Sequence, residues 1–163
     1  MFTDADLDLA AHILGRCRER GLRLAVAESC TGGLIAGLLT TIAGSSDVFE
    51  RGFVTYSNVA KEELLGVPAE VLRTNGAVSE ETARAMAEGA LAHSPADASL
   101  AVTGIAGPGG GSPGRPVGLV HMAAGIRGSA IHHAKEVFPG DRQAIRLAAV
   151  RRALVLLREA LAG

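Results

Sequence analysis

Leu22-Arg23-Leu24-Ala25-Val26-Ala27-Glu28-Ser29-Cys30-Thr31-Gly32-Gly33-Leu34-Ile35-Ala36-Gly37-Leu38-Leu39-Thr40-Thr41-Ile42 is the stretch that decides the architecture. Leu22 to Ala27 reads as a short strand with Leu24, Ala25 and Val26 as its buried run. Gly32-Gly33 makes a sharp turn, and Leu34 to about Ile42 reads as an apolar helix. Strand, glycine turn, helix is where α/β proteins place their chemistry.

Upstream, Thr3-x-x-Asp6 resembles a capping box with Asp in place of Glu. It opens an amphipathic helix carrying Leu7, Leu9, Ala10, Ile13 and Leu14, which Gly21 ends. Downstream, Gly52 to Tyr56 reads as a strand. Asn58 is the expected cap of a short helix bearing Lys61, Leu64 and Leu65. Asn75-Gly76 turns the chain toward Ser79, which caps a helix with Glu80 and Glu81 in its first turn, favourable to the macrodipole. Leu100 to Val102 is a buried strand, and the Gly/Pro-rich stretch 103–116 cannot be helical. Strands at about 117–125 and 130–138 pair antiparallel around Arg127-Gly128, and Asp141 caps a last helix ending near Leu161. Alternating elements with a late strand pair predict one three-layer α/β/α domain with a mixed sheet over residues 1–163.

Composition narrows the function classes. At 163 residues the chain suits one domain and buries about 70% of its unfolded surface without staples. A formal net charge of −1 gives no field to draw in nucleic acid or an anionic membrane, so any anion must be held locally. Cys17 and Cys30 are too few for a disulfide framework or a cysteine zinc site. Acids at the N-terminus and no apolar run of about 18 residues argue against a leader or a span, so a cytoplasmic location is expected.

Ser29 stands between strand and helix, where unpaired N–H groups from Cys30 to Gly33 could hold an oxyanion and Gly32 and Gly33 let a ligand approach the backbone. Helix capping accounts for a serine there equally well. A serine nucleophile needs a base, and His12, His93, His121, His132 and His133 include none in a recognisable triad segment. His132 and His133 alternate across a strand and cannot face one metal, and no strong metal motif is present. Lys61 is the better candidate, because its helix begins at a strand end and Tyr56 could relay its proton. Making lysine a neutral base requires its pKa to fall by about three units, or about 4 kcal/mol, reachable by burial. On pattern alone a solvated Lys61 is the commoner state.

Two motifs fail. Gly109-Gly110-Gly111-Ser112-Pro113-Gly114 matches G-x-G-x-x-G, but Pro113 and Pro116 forbid the helix that a dinucleotide fingerprint opens. Tyr56 and Lys61 are one residue too far apart for the Tyr-x-x-x-Lys of short-chain dehydrogenases. The glycine stretch remains a candidate ligand loop, since successive N–H groups bind anions. Arg142, in the first turn of the last helix, could hold a phosphate together with free N–H groups.

Together Ala27-Glu28-Ser29-Cys30-Thr31-Gly32-Gly33, the run Gly52 to Asn58 with Lys61, Gly76-Ala77-Val78-Ser79, Thr103-Gly104-Ile105-Ala106-Gly107-Pro108 and Phe138-Pro139-Gly140-Asp141-Arg142 resemble the CinA C-terminal domain family, from about residue 5 to 160. Stand-alone members are nicotinamide-nucleotide amidohydrolases. The resemblance implies hydrolysis of nicotinamide mononucleotide to nicotinate mononucleotide and ammonia, in pyridine-nucleotide salvage, with no metal or cofactor. It implies Ser29 as nucleophile, Lys61 as base and Tyr56 assisting. Cys30, Thr31, Gly32, Gly33, Asn58, Thr103, Gly104, Gly107 and Arg142 are the expected substrate-binding residues. Cys30 is the rival nucleophile. The alternative function is a catalytically silent nucleotide-binding or regulatory module, an idea invited by family names that refer to competence and DNA damage. A partner of DNA-repair proteins finds no support in the charge pattern. The expected partner is the small-molecule substrate, without nucleic acid or membrane; a homo-oligomer stays open.

Overall fold

Period-two alternation along three central strands sets the layers. In the computed structural model, which describes residues 1–163, Leu24 and Val26 of β1 (Leu24–Glu28) enter the larger core. So do Leu100 and Val102 of β3 (Ala98–Gly104), and Val120 and Met122 of β4 (Leu119–Ile126). The intervening Ala25, Ala27, Ala101 and Ala123 enter the smaller core on the opposite face. Helices α1 (Asp4–Glu19), α2 (Leu34–Thr41) and α6 (Arg142–Ala162) supply the larger core with residues such as Ile13, Leu38 and Leu154. Helices α3 (Asn58–Leu65), α4 (Ala69–Asn75) and α5 (Glu80–Ala92) cover the alanine-rich face with Leu65, Leu72 and Met86. Small residues on that face admit a close helix: Ser99 Oγ donates to the Ala87 carbonyl of α5 at 2.8 Å.

With β2 (Phe49–Val54) and β5 (His132–Val137), the strands form one sheet in the order β2-β1-β3-β4-β5. β1 pairs parallel with β2 and β3, whereas β4 and β5 extend the sheet antiparallel. This is the expected mixed sheet between two helical layers. β1 is followed in sequence by a helix on one face, and β2 by helices on the other. The crevice beyond the ends of β1 and β3 is therefore a switch point of the kind where open α/β sheets bind ligands.

The caps follow the polar signals in most places. Thr3 and Asp6 form the reciprocal box, Ser79 Oγ accepts from Thr82 N at 3.1 Å, and Asp141 accepts from Ala144 N at 2.9 Å. Such caps are each worth about 1 kcal/mol. One cap differs: Ser57 Oγ, not Asn58, accepts from Ala60 N, and Asn58 is the first helical residue. The strand expected at 52–56 begins earlier and ends at Val54, because the Thr55 and Tyr56 carbonyls leave the ladder for the Lys61 amine. Helix α4 was not expected; Pro68, at its N-cap, needs no donor there. No helix is long and apolar enough to cross a membrane.

Candidate active site

β1 ends at Glu28, and the chain then turns over five residues before α2 begins. The turn is pinned at both sides. Ser29 N donates to the Val102 carbonyl at 3.0 Å, and Thr55 N to the Glu28 carbonyl at 2.9 Å, so Ser29 lies at the carboxyl ends of three parallel strands. The Glu28 side chain, fully buried, accepts from Ile35 N at 3.0 Å and Ala36 N at 3.1 Å. That carboxylate consumes the first-turn donors of α2 and favours the positive helix end. The Ile35 and Ala36 donors of α2 are therefore taken by Glu28, and the expected donors from Cys30 to Gly33 lie in the turn before it. The N–H groups of Cys30, Thr31 and Gly33 are those without an acceptor in the chain, while Gly32 N donates to the Ser29 carbonyl at 3.0 Å. Gly32 (φ +57°) and Gly33 (φ +102°) both hold left-handed backbone that a side chain would strain.

Alternation carries Ala25, Ala27 and then Ser29 toward the face covered by α3, and Lys61 comes to it from that helix. Lys61 and Leu65 sit four residues apart on the buried side of α3, and Lys61 is only 1% exposed. Its Nζ lies 3.0 Å from Ser29 Oγ, 2.8 Å from the Thr55 carbonyl and 3.3 Å from the Tyr56 carbonyl. No carboxylate pairs with Lys61. Burial pushes its ammonium below the ordinary lysine range. The three contacts match the three N–H donors of the ammonium; in the neutral amine two N–H groups meet the carbonyls and the lone pair accepts from the Ser29 hydroxyl. Burial acts on Cys30 in the opposite sense, pushing its thiol up to about 11, so it stays protonated and poorly nucleophilic.

The pocket over this pair holds about 170 Å³ and brings together Ser29, Cys30, Tyr56, Lys61, Thr103, Gly104 and Arg142. Ala77, Val78 and Ala106 complete the wall. Thr31, Gly32, Gly33, Asn58 and Gly107 stand outside this lining. Thr103 Oγ1 donates to the Ala77 carbonyl at 2.8 Å. Gly104 admits no side chain, because a Cβ would stand 2.8 Å from the Leu119 carbonyl oxygen. Tyr56 differs from the expected amine contact. It is its carbonyl that meets Lys61, while its phenol oxygen, largely exposed, accepts from Arg142 Nη2 at 3.0 Å. Arg142 Nη1 donates to the Gly107 carbonyl at 2.7 Å, so the guanidinium spans from the Gly107 turn to Tyr56. The glycine stretch 109–114 does not reach this pocket. Gly114, Arg115 and Pro116 line a separate cleft with His121 and Lys135, beside the contact of His121 Nδ1 with His133 Nε2 at 2.9 Å.

Arg146 was not foreseen. From α6 its Nε donates to the Cys30 carbonyl at 3.0 Å and its Nη2 to the Thr31 carbonyl at 3.2 Å. Nothing local signals this contact, which joins residues more than a hundred positions apart. The burial of Lys61 did have a signal, its spacing from Leu65.

Fold and site define a three-layer α/β protein with a buried serine–lysine pair at the sheet's switch point. The CinA C-terminal domain family matches residues 6–161, and the chain belongs to that family. It is similar to a CinA-like protein of Syntrophobacter fumaroxidans, 54% identical over 142 residues, covering 87% of this chain and 33% of that protein. A CinA-like protein of Anaeromyxobacter sp. is 49% identical over 162 residues, covering 99% and 39%. The chain thus spans little more than a third of the length of these curated relatives. Among solved structures, a competence/damage inducible protein from Agrobacterium tumefaciens superposes with a TM-score of 0.96 at 52% identity, covering 100% of this chain and 99% of that one. A CinA superfamily protein from Escherichia coli gives 0.91 at 38% identity, covering 98% and 93%.

Proposed function

We propose that this chain hydrolyses the carboxamide of nicotinamide mononucleotide to nicotinate mononucleotide and ammonia through a serine acyl-enzyme. The observation that carries the chemistry is the Lys61 amine, buried without a carboxylate and 3.0 Å from Ser29 Oγ. The substrate comes from the family resemblance, to which an arginine-bordered pocket adds support. Neutral Lys61 takes the Ser29 proton as Oγ attacks the carboxamide carbon. The N–H of Cys30, which lines the pocket and has no acceptor in the chain, is the proposed donor for the resulting oxyanion. The lysinium returns its proton to the departing ammonia, leaving a Ser29 ester. Water, deprotonated by the same amine, then attacks the ester and releases the carboxylate. Arg142, which no carboxylate neutralises, would exchange its Tyr56 contact for the substrate phosphate.

The test is ammonia release from nicotinamide mononucleotide by metal-stripped protein, with Ser29→Ala and Cys30→Ala alongside. Turnover that persists in Cys30→Ala and disappears in Ser29→Ala is expected. Nucleotide binding without turnover by the folded wild type would replace this reading with the silent binding module.

A further inference from the structure

We infer that the cleft between the 112–116 turn, the start of α5 and strands β4 and β5 is a binding site for hydrogen phosphate, which the lone pair of His121 Nε2 selects over anions that carry no proton. The inference is independent of the chemistry at Ser29. The cleft holds about 320 Å³, and Glu81, Arg115, His121 and Lys135 are among its lining residues. His121 and Lys135 are direct cross-strand partners on β4 and β5, so both side chains leave the same face of the sheet. Arg115 comes from the glycine-rich stretch that does not reach the serine pocket. Ser112 and Arg115 exchange two backbone hydrogen bonds of 2.9 Å around Pro113-Gly114, and Arg115 Nη2 donates to the Asn75 carbonyl at the end of α4. Neither Arg115 nor Lys135 forms an ion pair.

Two cationic donors alone would suit any anion; the groups beside them decide which one. His121 is 8% exposed, and its Nδ1 lies 2.9 Å from His133 Nε2. His133 Nδ1 in turn faces Glu80 Oε1 at 3.8 Å, while Glu80 Oε2 accepts from Arg84 Nε at 2.8 Å. A carboxylate there favours the His133 tautomer with its proton on Nδ1, which leaves His133 Nε2 as the acceptor. His121 Nδ1 is then the donor of the pair, and the His121 lone pair sits on Nε2. Burial first, then His133 and Lys135, push the His121 pKa down to about 4 against the opposing pull of Glu80 and Glu81, so the ring is neutral at pH 7. His121 Nε2 has no partner in the chain and is not sealed from solvent. Glu81, which also forms no ion pair, adds a second acceptor to the lining. An anion that can only accept leaves Nε2 unpaired and meets Glu81 as a like charge. Hydrogen phosphate supplies both kinds of contact, bare oxygens for Arg115 and Lys135 and an O–H for His121 or Glu81. The substrate phosphate assigned to Arg142 differs: a monoester loses its last proton at about pH 6 and suits a guanidinium that only donates.

The experiment follows the histidine ring nitrogens of isotope-labelled protein by NMR while inorganic phosphate, sulfate or ribose 5-phosphate is added at constant ionic strength and about pH 8, where the monoester is a dianion. Phosphate should shift the His121 Nε2 signal saturably, with an affinity about 10-fold or more above that of sulfate, because sulfate leaves a buried acceptor unpaired. Ribose 5-phosphate should bind no more tightly than sulfate. By calorimetry, His121→Phe, which has no acceptor, should lose most of the preference for phosphate over sulfate. Arg115→Gln and Lys135→Gln should each weaken phosphate about 3- to 10-fold. Both side chains are exposed, so these two variants carry the test if His121→Phe does not fold. Arg142→Gln should leave the phosphate shift of the His121 signal unchanged. The inference is overturned by the absence of a saturable shift, by equal affinities for phosphate and sulfate, or by ribose 5-phosphate binding as tightly as phosphate. Binding that is lost in Arg142→Gln but kept in Arg115→Gln and Lys135→Gln would also overturn it, because the anion would then sit in the serine pocket.

Discussion

Two buried charges in this protein are treated in opposite ways. Asp6, 4% exposed, accepts from Arg151 Nε at 2.7 Å and Nη2 at 3.0 Å, and from Thr3 N at 2.8 Å. Those donors hold its carboxyl at about 2. Lys61, more deeply buried, is given carbonyls and a hydroxyl but no counter-charge, and its pKa falls toward the neutral form. A paired charge ties α1 to α6 and needs no change of state. An unpaired amine costs stability at neutral pH, a cost that the proposed proton exchange with Ser29 would explain.

The largest expected effect breaks the pair at Lys61. In Lys61→Met the base is gone, and ammonia release should fall on the order of 10⁴-fold or more. The melting temperature should nevertheless hold or rise, because an apolar chain replaces a buried amine that has no counter-charge, which outweighs the hydrogen bonds lost by the Thr55 and Tyr56 carbonyls. The sign with pH is fixed by linkage. Lys61 has a folded pKa below its unfolded one, so between the two values the unfolded chain binds more protons, and wild-type stability rises with pH. The stability gain of Lys61→Met should therefore be greatest below the folded pKa and shrink as pH climbs toward the ordinary lysine value of 10.5. Thermal melts across that range check it.

A second substitution should harm both properties at once. At Gly89 of α5, an added Cβ would overlap the Leu65 carbonyl at the end of α3, the helix that carries Lys61. Gly89→Ala should cost about 1–3 kcal/mol by overpacking and lower kcat by displacing Lys61, as read by melts and ammonia release.

The smallest effect falls at the structural charge. Asp6→Asn should lose about 1–2 kcal/mol, or roughly 3–6 °C, and leave kcat unchanged. Its folded pKa lies below the unfolded one, so this stability is present above about pH 3.8 and is lost as pH falls toward 2. The wild-type and Asp6→Asn melting curves should converge over that window.

How much of this was legible depends on the reach of each interaction. Ser29 in its strand-turn-helix, the Ser79 and Asp141 caps and the late antiparallel pair are local, and residues within a few positions announce them. Read from the sequence, Leu24, Ala25 and Val26 form one buried run; the structure divides Leu24-Ala25-Val26-Ala27 between two faces, bulky residues on one and small ones on the other. What escaped was long-range or switched between backbone and side chain. Glu28 caps a helix across an intervening turn, and Arg146 reaches Cys30 from the far end of the chain. Tyr56 was legible as a site residue, but that its carbonyl rather than its phenol serves Lys61 follows from where β2 ends. Family resemblance supplied the Ser29–Lys61 pairing that pattern alone left open.

The claim on which the rest turns is that Ser29 is acylated. Quenching turnover of nicotinamide mononucleotide in acid and mapping peptides by mass would read it directly. The account predicts a nicotinate mononucleotide ester on the peptide at Ser29, retained in Cys30→Ala and absent in Lys61→Met. An adduct on Cys30, or active turnover with Ser29 replaced by alanine, would contradict it.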